Sequence, residues 1–184
     1  MKLVIIIFCV IALFCSCNSH QRKYGNKQSN RTETVVLQKP AQLQEIKKGA
    51  EFPITIVGIT DGDTFKGLTS DNQQIKCRIY GIDAPEKKQA YGQKSKQYLS
   101  DLIFGKRVHI KIQGKSFDRY VVWVYIDGKD ISAEMIKAGM AWHYKEYDKS
   151  EEYSNLESIA RNNRIGLWND SNPVVPRNFR KVKK

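Results

Sequence analysis

A cation and two acids lie close together in the segment 78–86, at the end of a predicted strand. Arg78 is on the strand, and Asp83 and Glu86 follow it on either side of Pro85, which stiffens the turn between the two acids. A guanidinium and two carboxylates on a strand end and a rigid turn are suited to a charged substrate. A solvated turn with an incidental ion pair gives the same pattern, because structural ion-pair networks also cluster charges. Taken alone, the segment leaves both interpretations open.

The composition favours a polyanionic partner. The chain has 184 residues, with 31 Lys and Arg against 19 Asp and Glu, which gives a formal net charge of +12. Such an excess on a small domain favours nucleic acid or an anionic membrane surface as partner. Beyond the N-terminus the sequence has no apolar run long enough for a membrane span. Three of the four cysteines lie within the first 17 residues, which excludes a disulfide framework or a zinc site.

The N-terminus has the pattern of an export signal. A continuous apolar run from Leu3 to Phe14 is too short to span a membrane. Its end resembles the cleavage site of a bacterial lipoprotein signal, with Cys17 as the lipidated residue. The aromatic residue three places before that cysteine departs from the usual aliphatic one, and an ordinary secretory signal cut nearby is the alternative. We expect an export signal at residues 1–17 and a flexible, basic tether at 18–50.

The elements that must position the charged segment form a small barrel. Three short β-strands, rich in β-branched residues and joined by tight turns, are predicted within residues 53–82. The pattern then predicts, in chain order, a helix over 92–104, strands over 107–112 and 119–126, and helices over 132–138 and 150–163. Five strands with a helix between the third and fourth are the order of an OB-fold barrel. The sequence therefore predicts a mainly β (α+β) fold, a five-stranded OB-fold barrel with three helices.

The predicted elements occupy one domain at residues 51–171, which leaves a basic tail at 172–184. From Pro176 to Lys184 the tail holds five basic residues and no acid, and we expect it to be disordered. Its role is either solubility or non-specific contact with phosphates.

Three segments together resemble the staphylococcal nuclease (thermonuclease) family. They are Asp61-Gly62-Asp63-Thr64, the Arg-x-x-Gly-Ile-Asp-Ala-Pro-Glu pattern from Arg78 to Glu86, and the segment Ala160 to Trp168 with its Gly-Leu-Trp ending. Each alone is a modest signal, but the combination at this spacing is specific. The resemblance covers about Phe52 to Asn169. It implies an OB-fold barrel and calcium-dependent hydrolysis of DNA and RNA without strong sequence preference.

The resemblance also assigns roles to residues. Asp63 and Asp83 match the calcium ligands of the family. The backbone carbonyl of Ala84 matches a third ligand, and the family's threonine at that position is not required for a carbonyl to bind. Glu86 matches the general base, and Arg78 matches the first catalytic arginine.

Four other side chains are candidates, each with a structural alternative. Asp61 and Thr64 lie next to the predicted ligands; Asp61 also suits a turn-shaping role, and Thr64 an ordinary strand position. In the family, an aromatic residue of the loop after Gly139 stacks on a substrate base, which tolerates many sequences. Tyr144 and Tyr147 are the candidates for that role, and packing against the barrel is an equal alternative.

The second catalytic arginine is where the chain departs from the family. The family has Asp-x-Tyr-Gly-Arg before the fifth strand, whereas here Asp118-Arg119-Tyr120 runs directly into the strand. If these residues match the family's Asp-x-Tyr, the arginine is lost. If the strand keeps its register, Arg119 takes the arginine position and the preceding loop is shorter. A register slip exchanges the buried and exposed faces of a strand, whereas a shorter surface loop costs little, so we favour Arg119.

The sequence thus predicts a calcium-dependent nuclease that is monomeric, exported and held at the cell envelope by a lipid; a secreted soluble protein is the alternative. A second class of function is a nucleic-acid-binding OB-fold module that is catalytically weak or inactive. Asp63, Arg78, Asp83 and Glu86 together favour the enzyme, because a pure binder has no need for paired acids facing a phosphate. The ambiguity at the second arginine keeps the binding module open.

Overall fold

The computed structural model describes residues 45–182. The predicted export signal at 1–17, the lipidation site Cys17 and the part of the tether before residue 45 lie outside the described residues. Within the described range, none of the helices has the length and apolar character needed to cross a bilayer.

Eight strands and four α-helices make up the described part of the chain. The strands are β1 (Glu51–Ile59), β2 (Thr64–Leu68), β3 (Gln74–Ile79), β4 (Ile82–Asp83), β5 (Arg107–Ser116), β6 (Arg119–Ile126), β7 (Lys129–Asp130) and β8 (Trp142–His143). The helices are α1 (Gly92–Ile103), α2 (Ile131–Lys137), α3 (Glu151–Asn162) and α4 (Pro176–Val182), with a 3-10 turn at Gly166–Asn169.

The five longer strands close into a barrel, as predicted. The sheet order is β3-β2-β1-β5-β6-β7, and a parallel pairing of β3 with β6 joins the two sides. Closure removes the exposed edges of an open sheet. The α-helix count is four rather than the three predicted, because the C-terminal segment adds α4.

Strict alternation along the strands explains which side chains fill the barrel. On β6, Tyr120, Val122 and Val124 are buried, while the residues between them face outward. Helix α1 covers one end of this core with Leu99 and Ile103, both fully buried. A one-residue slip of β6 would expose its buried set, so the apolar pattern fixes the register of the strand.

The expectation of a disordered C-terminal tail is wrong for residues 176–182, which form α4. Pro176 is buried at the first position of the helix, where its missing N–H is not needed. Phe179 lines an apolar cavity of about 200 Å³ together with Trp142 and Leu167. Because the tail is basic overall, its composition gives no sign that Pro176 and Phe179 contact the rest of the domain.

Candidate active site

In the turn between β1 and β2, the side chain of Asp61 fixes the backbone of Asp63. The backbone N–H of Asp63 donates to Oδ1 of Asp61 at 3.1 Å. A Cβ on Gly62 would lie 1.9 Å from Oγ of Ser95, so only glycine fits this position. The Thr64 hydroxyl donates to Oδ1 of Asp63 at 2.9 Å. Asp61 and Thr64 therefore orient Asp63, next to which the sequence placed them.

The predicted third strand is divided, and its second part carries the other acid. β3 ends at Ile79, and Gly81 adopts a φ of 79°, which is unfavourable for residues with a side chain. The chain then forms β4, whose Asp83 pairs with Trp142 of β8. Asp83 follows this turn and is only 2 % exposed.

A buried polar group supports β8 and, through it, β4. The Nε2–H of His143 donates to Oδ2 of Asp148 at 2.9 Å, and its Nδ1 lies 3.1 Å from the hydroxyl of Ser154 on α3. His143 is the pairing partner of Ile82. A buried imidazole with both ring nitrogens in hydrogen bonds gives a rigid support for the strand that carries Asp83.

The two acids converge on the guanidinium of Arg78. Its Nη1 donates to Oδ1 of Asp63 and its Nη2 to Oδ1 of Asp83, each at 2.9 Å. The N–H of Ala84 adds a bond of 3.0 Å to Oδ2 of Asp63. The Arg78 side chain is 17 % exposed. Arg78 on β3 is thus in direct contact with Asp63, from the turn before β2, and with Asp83 on β4, and the resemblance assigned all three to one site.

Burial and charge act against each other on this cluster. Burial raises the pKa of Asp63, and the nearby Arg78 reduces that rise without cancelling it. Burial alone would lower the pKa of Arg78, but the carboxylates of Asp63 and Asp83 outweigh it and raise that pKa. The acids and the guanidinium stabilise each other's charged forms, which is how a buried charge cluster persists.

An open cavity of about 390 Å³ lies over the cluster. The predicted site residues among those that line it are Asp61, Asp63, Arg78, Ala84, Glu86, Arg119, Tyr144 and Tyr147. Asp83 lines a neighbouring cavity of about 330 Å³ instead, and Thr64 is buried. Glu86 is 36 % exposed at its side chain and follows Pro85 on a loop. The cavity is large enough for part of a nucleotide chain.

Arg119 reaches the cavity from the outward face of β6. Arg119 and Val121 line it, whereas Tyr120 between them is buried. The parallel pairing sets Val121 opposite Arg78 on β3. Within the described residues, the Arg119 side chain makes no hydrogen bond or ion pair. The favoured register therefore puts a second arginine at the cavity; its catalytic role stays a prediction.

The two candidate tyrosines stand at the rim of the same cavity. Their ring centroids are 4.7 Å apart, in an edge-on arrangement. Burial, followed by the charge of Asp83, raises the pKa of Tyr144. Tyr147 is 67 % exposed, and its carbonyl accepts a 2.7 Å bond from the hydroxyl of Tyr80. Tyr147 thus has a fixed backbone and a ring open to solvent.

Arg180 is a site residue that the sequence analysis missed. From α4 it donates through Nη1 to Glu86 at 2.7 Å, and through Nη1 and Nη2 to both oxygens of Asp83 at 3.2 and 3.1 Å. Burial alone would lower the pKa of Arg180, but these hydrogen bonds raise it. The signal that was available is Phe179, a lone aromatic residue in a basic segment, which lines the apolar cavity beside Trp142.

The acids fit a hard divalent cation in their chemistry. Two buried carboxylates, those of Asp63 and Asp83, converge to within hydrogen-bond distance of one guanidinium. Carboxylate and carbonyl oxygens are the ligands that calcium prefers. In residues 45–182 no three His, Cys, Asp or Glu side chains are grouped to hold a metal ion. A cation here therefore needs oxygens besides the two carboxylates, such as the carbonyl of Ala84.

Comparison with known proteins identifies the family of the chain. The family described as staphylococcal nuclease homologue matches residues 76–170. The chain is 45 % identical over 130 residues to an uncharacterized endonuclease of Haemophilus influenzae, covering 70 % of this chain and 73 % of the relative. It is 38 % identical over 149 residues to a micrococcal nuclease of Shigella flexneri, covering 73 % and 84 %. It is 37 % identical over 113 residues to a staphylococcal-like nuclease of Arabidopsis thaliana, covering 61 % and 35 %. The chain belongs to the staphylococcal nuclease family.

Proposed function

We propose that the protein is a calcium-dependent nuclease that hydrolyses phosphodiester bonds of DNA and RNA with little sequence preference. Membership of a nuclease family makes it a hydrolase of this class. The observation that carries the proposal is one cavity lined by Arg78, Arg119 and Glu86, next to the buried pair Asp63 and Asp83. Those are the groups that phosphodiester hydrolysis requires: cations for the phosphate, a base for water and ligands for a metal.

The two arginines act on the charge of the phosphate. A phosphodiester resists attack because its anionic oxygens repel a nucleophile. Arg78 is held in place by Asp63 and Asp83, whereas Arg119 is without such partners in the described residues. Their forked donors bind equatorial oxygens and stabilise the charge that grows at phosphorus. Loss of one such donor lowers the rate by about a hundredfold or more.

Glu86 takes the proton of the attacking water. It is partly exposed at the cavity, on a loop stiffened by Pro85, so water reaches its carboxylate. Asp63, Asp83 and the carbonyl of Ala84 would hold calcium. When bound, the ion supplies positive charge to a phosphate oxygen and favours ionisation of water.

Substrate binding combines a ring with a basic surface. The exposed ring of Tyr147 stacks on a base whatever its identity, which suits broad specificity. The net charge of +12 attracts the phosphate backbone, so affinity falls steeply with salt through counterion release.

We extend the proposal to export of a monomer, anchored at the cell envelope through lipidation of Cys17; the apolar run before that cysteine supports it.

The test is digestion of single-stranded DNA and RNA by the full chain in mild detergent, with calcium and then with chelator. We expect calcium-dependent cleavage that is about a hundredfold slower in Glu86→Gln. Glu152→Gln, which removes an exposed acid on α3, serves as the control and keeps full activity. Salt-sensitive binding without cleavage by the wild type would contradict the proposal in favour of a binding module. Full activity in Glu86→Gln would remove Glu86 as the base.

A further inference from the structure

The C-terminal helix places a positive charge where the proposed reaction needs a free carboxylate. Arg180 Nη1 donates to Oε1 of Glu86 at 2.7 Å, the shortest of its bonds. The same guanidinium binds both carboxylate oxygens of Asp83. One residue of α4 therefore occupies the proposed general base and a proposed calcium ligand at once.

We propose that Arg180 is a further residue of the active site and that α4 is a latch, which competes with calcium for Asp83 and with water for Glu86. The inference rests on the proposed function, since it assigns the regulation of that same site. On this proposal, the calcium concentration that the enzyme needs depends on the C-terminal helix as well as on the metal ligands.

The hydrogen bonds of Asp83 leave few acceptor sites for a cation. A carboxylate has about four lone-pair sites. Oδ1 of Asp83 accepts from Arg78 and from Arg180, and Oδ2 accepts from Arg180. Three sites are therefore in use on a side chain that is 2 % exposed. A cation that binds Asp83 must displace one of these donors and come close to two guanidinium groups of like charge.

Of the two donors, Arg180 is the one that is able to leave. Arg78 belongs to β3, a strand of the barrel wall, and its side chain is 17 % exposed. Arg180 is 39 % exposed and lies on a short terminal helix. Arg78 lies on the strand whose pairing with β6 closes the barrel, whereas α4 takes no part in the strand pairings of the described residues.

Polar and apolar contacts on either side of Arg180 hold the latch to the domain. Nε2 of Gln89 donates to the carbonyl of Val174 at 2.5 Å, just before the helix. Arg177 pairs with Glu146, and both side chains are about half exposed. Phe179 lines the apolar cavity next to Trp142. Exposed ion pairs contribute little to stability, so docking depends mainly on Phe179 and on the bonds of Arg180.

The latch sets a calcium threshold. When calcium is scarce, Arg180 compensates the buried charge of Asp83 and keeps Glu86 occupied. When calcium is abundant, the cation replaces the guanidinium and α4 detaches. The calcium association constant measured for the whole protein is the intrinsic constant multiplied by the fraction of molecules whose latch is open. Weakening the latch therefore tightens calcium binding without any change in the ligands.

The test is calorimetric titration of the full chain with calcium chloride alone. We expect Arg180→Gln to bind calcium about tenfold more tightly than the wild type. Phe179→Ala keeps every charge and only weakens docking, and we expect it to bind calcium more tightly as well. Lys181→Gln removes the same charge as Arg180→Gln from an exposed position of the same helix, and we expect wild-type affinity.

A second measurement follows the helix itself. Amide hydrogen exchange of residues 176–182 should be faster with calcium than with chelator in the wild type, because the bound cation releases α4. Unchanged exchange on calcium binding would overturn the latch.

The outcomes separate the latch from the function on which it rests. Equal calcium affinity in all four proteins would overturn the latch and leave the nuclease proposal intact. Tighter binding by Arg180→Gln but not by Phe179→Ala would also overturn it, since simple repulsion by a nearby charge would explain the result. If none of the proteins binds calcium, the calcium-dependent function fails, and the latch fails with it.

Discussion

Arg78 and Arg180 bind the same carboxylate from two different parts of the molecule. Arg78 reaches Asp83 from β3 in the barrel wall, at 2.9 Å, and Arg180 reaches it from α4 at the periphery, at 3.1 and 3.2 Å. Their distances are similar, but their surroundings are not, since the side chains are 17 % and 39 % exposed. The contact length therefore says little about what a residue contributes.

The difference lies in what else depends on each arginine. Arg78 compensates two buried acids at once and belongs to the strand whose pairing with β6 closes the barrel. Arg180 shares Asp83 with Arg78 and lies on a helix of seven residues that belongs to no sheet. We expect Arg78, in the barrel wall, to contribute both to the stability of the fold and to catalysis. We expect Arg119, which has no such partners in the described residues, and Arg180, on the terminal helix, to affect catalysis alone. Four predictions test that division, in order of decreasing expected effect.

The largest effect is expected for Arg78→Gln. Removing one partner of a buried ion pair leaves an uncompensated charge, which destabilises a protein by about 3–5 kcal/mol. We expect a loss near the lower end, because Asp83 retains Arg180 and Asp63 retains the N–H of Ala84. The nuclease rate should also fall by about a hundredfold or more. Urea unfolding and single-stranded DNA digestion measure the two effects, and wild-type stability in this variant would contradict the division.

Arg119→Gln should separate the two effects. Its side chain makes no hydrogen bond or ion pair in the described residues, so we expect the free energy of unfolding to stay within about 0.5 kcal/mol of the wild type. The rate should still fall by about a hundredfold, because the donor to the phosphate is lost. Arg107→Gln, an exposed arginine at the start of β5, is the matched control. Equal rates in the two variants would mean that Arg119 has no catalytic role.

The strands of the barrel were largely predictable from the sequence, and the C-terminal helix was not. The alternation on β6 predicts which of its faces is buried, and the expectation that Arg119 takes the arginine position rests on that local pattern; its catalytic role stays a prediction. The break at Gly81 was visible as a glycine, but the short β4 depends on its partner β8, which lies far along the chain. Pairing with a distant segment leaves no periodic signal in either segment.

The C-terminal helix was missed for a similar reason. Its basic residues indicate a solvated segment, and composition alone does not show that Phe179 lies against an apolar cavity of the domain. That cavity combines residues from the loop before α1, from β8 and from the 3-10 turn, among them Tyr91, Trp142 and Leu167. Only the assembled domain creates it, so the position of Arg180 follows from the tertiary structure.

Tyr147→Ala extends the comparison to a side chain without charge. The ring is 67 % exposed at the rim, so its loss should leave the unfolding free energy nearly unchanged. Stacking contributes about 1–3 kcal/mol per base, so we expect binding of single-stranded DNA to weaken by about tenfold. Fluorescence anisotropy with labelled DNA, in chelator to prevent cleavage, measures the affinity. Wild-type affinity in this variant would assign base stacking to another residue, with Tyr144→Ala as the next variant to measure.

The smallest effect is expected on the labelling rate of Cys77, which reports only on the opening of the barrel strands. This thiol is fully buried next to Arg78 on β3, and burial raises its pKa to about 12. The thiolate is the reactive form, so at pH 8 labelling of Cys77 requires the barrel to open. We expect Arg78→Gln to label faster than the wild type, and Arg180→Gln to label at the wild-type rate, because α4 detaches without opening β3. Mass spectrometry of the peptide that contains Cys77, after timed exposure to iodoacetamide, gives each rate. Faster labelling in Arg180→Gln would mean that the terminal helix also holds the barrel closed, and the division between wall and latch would fail.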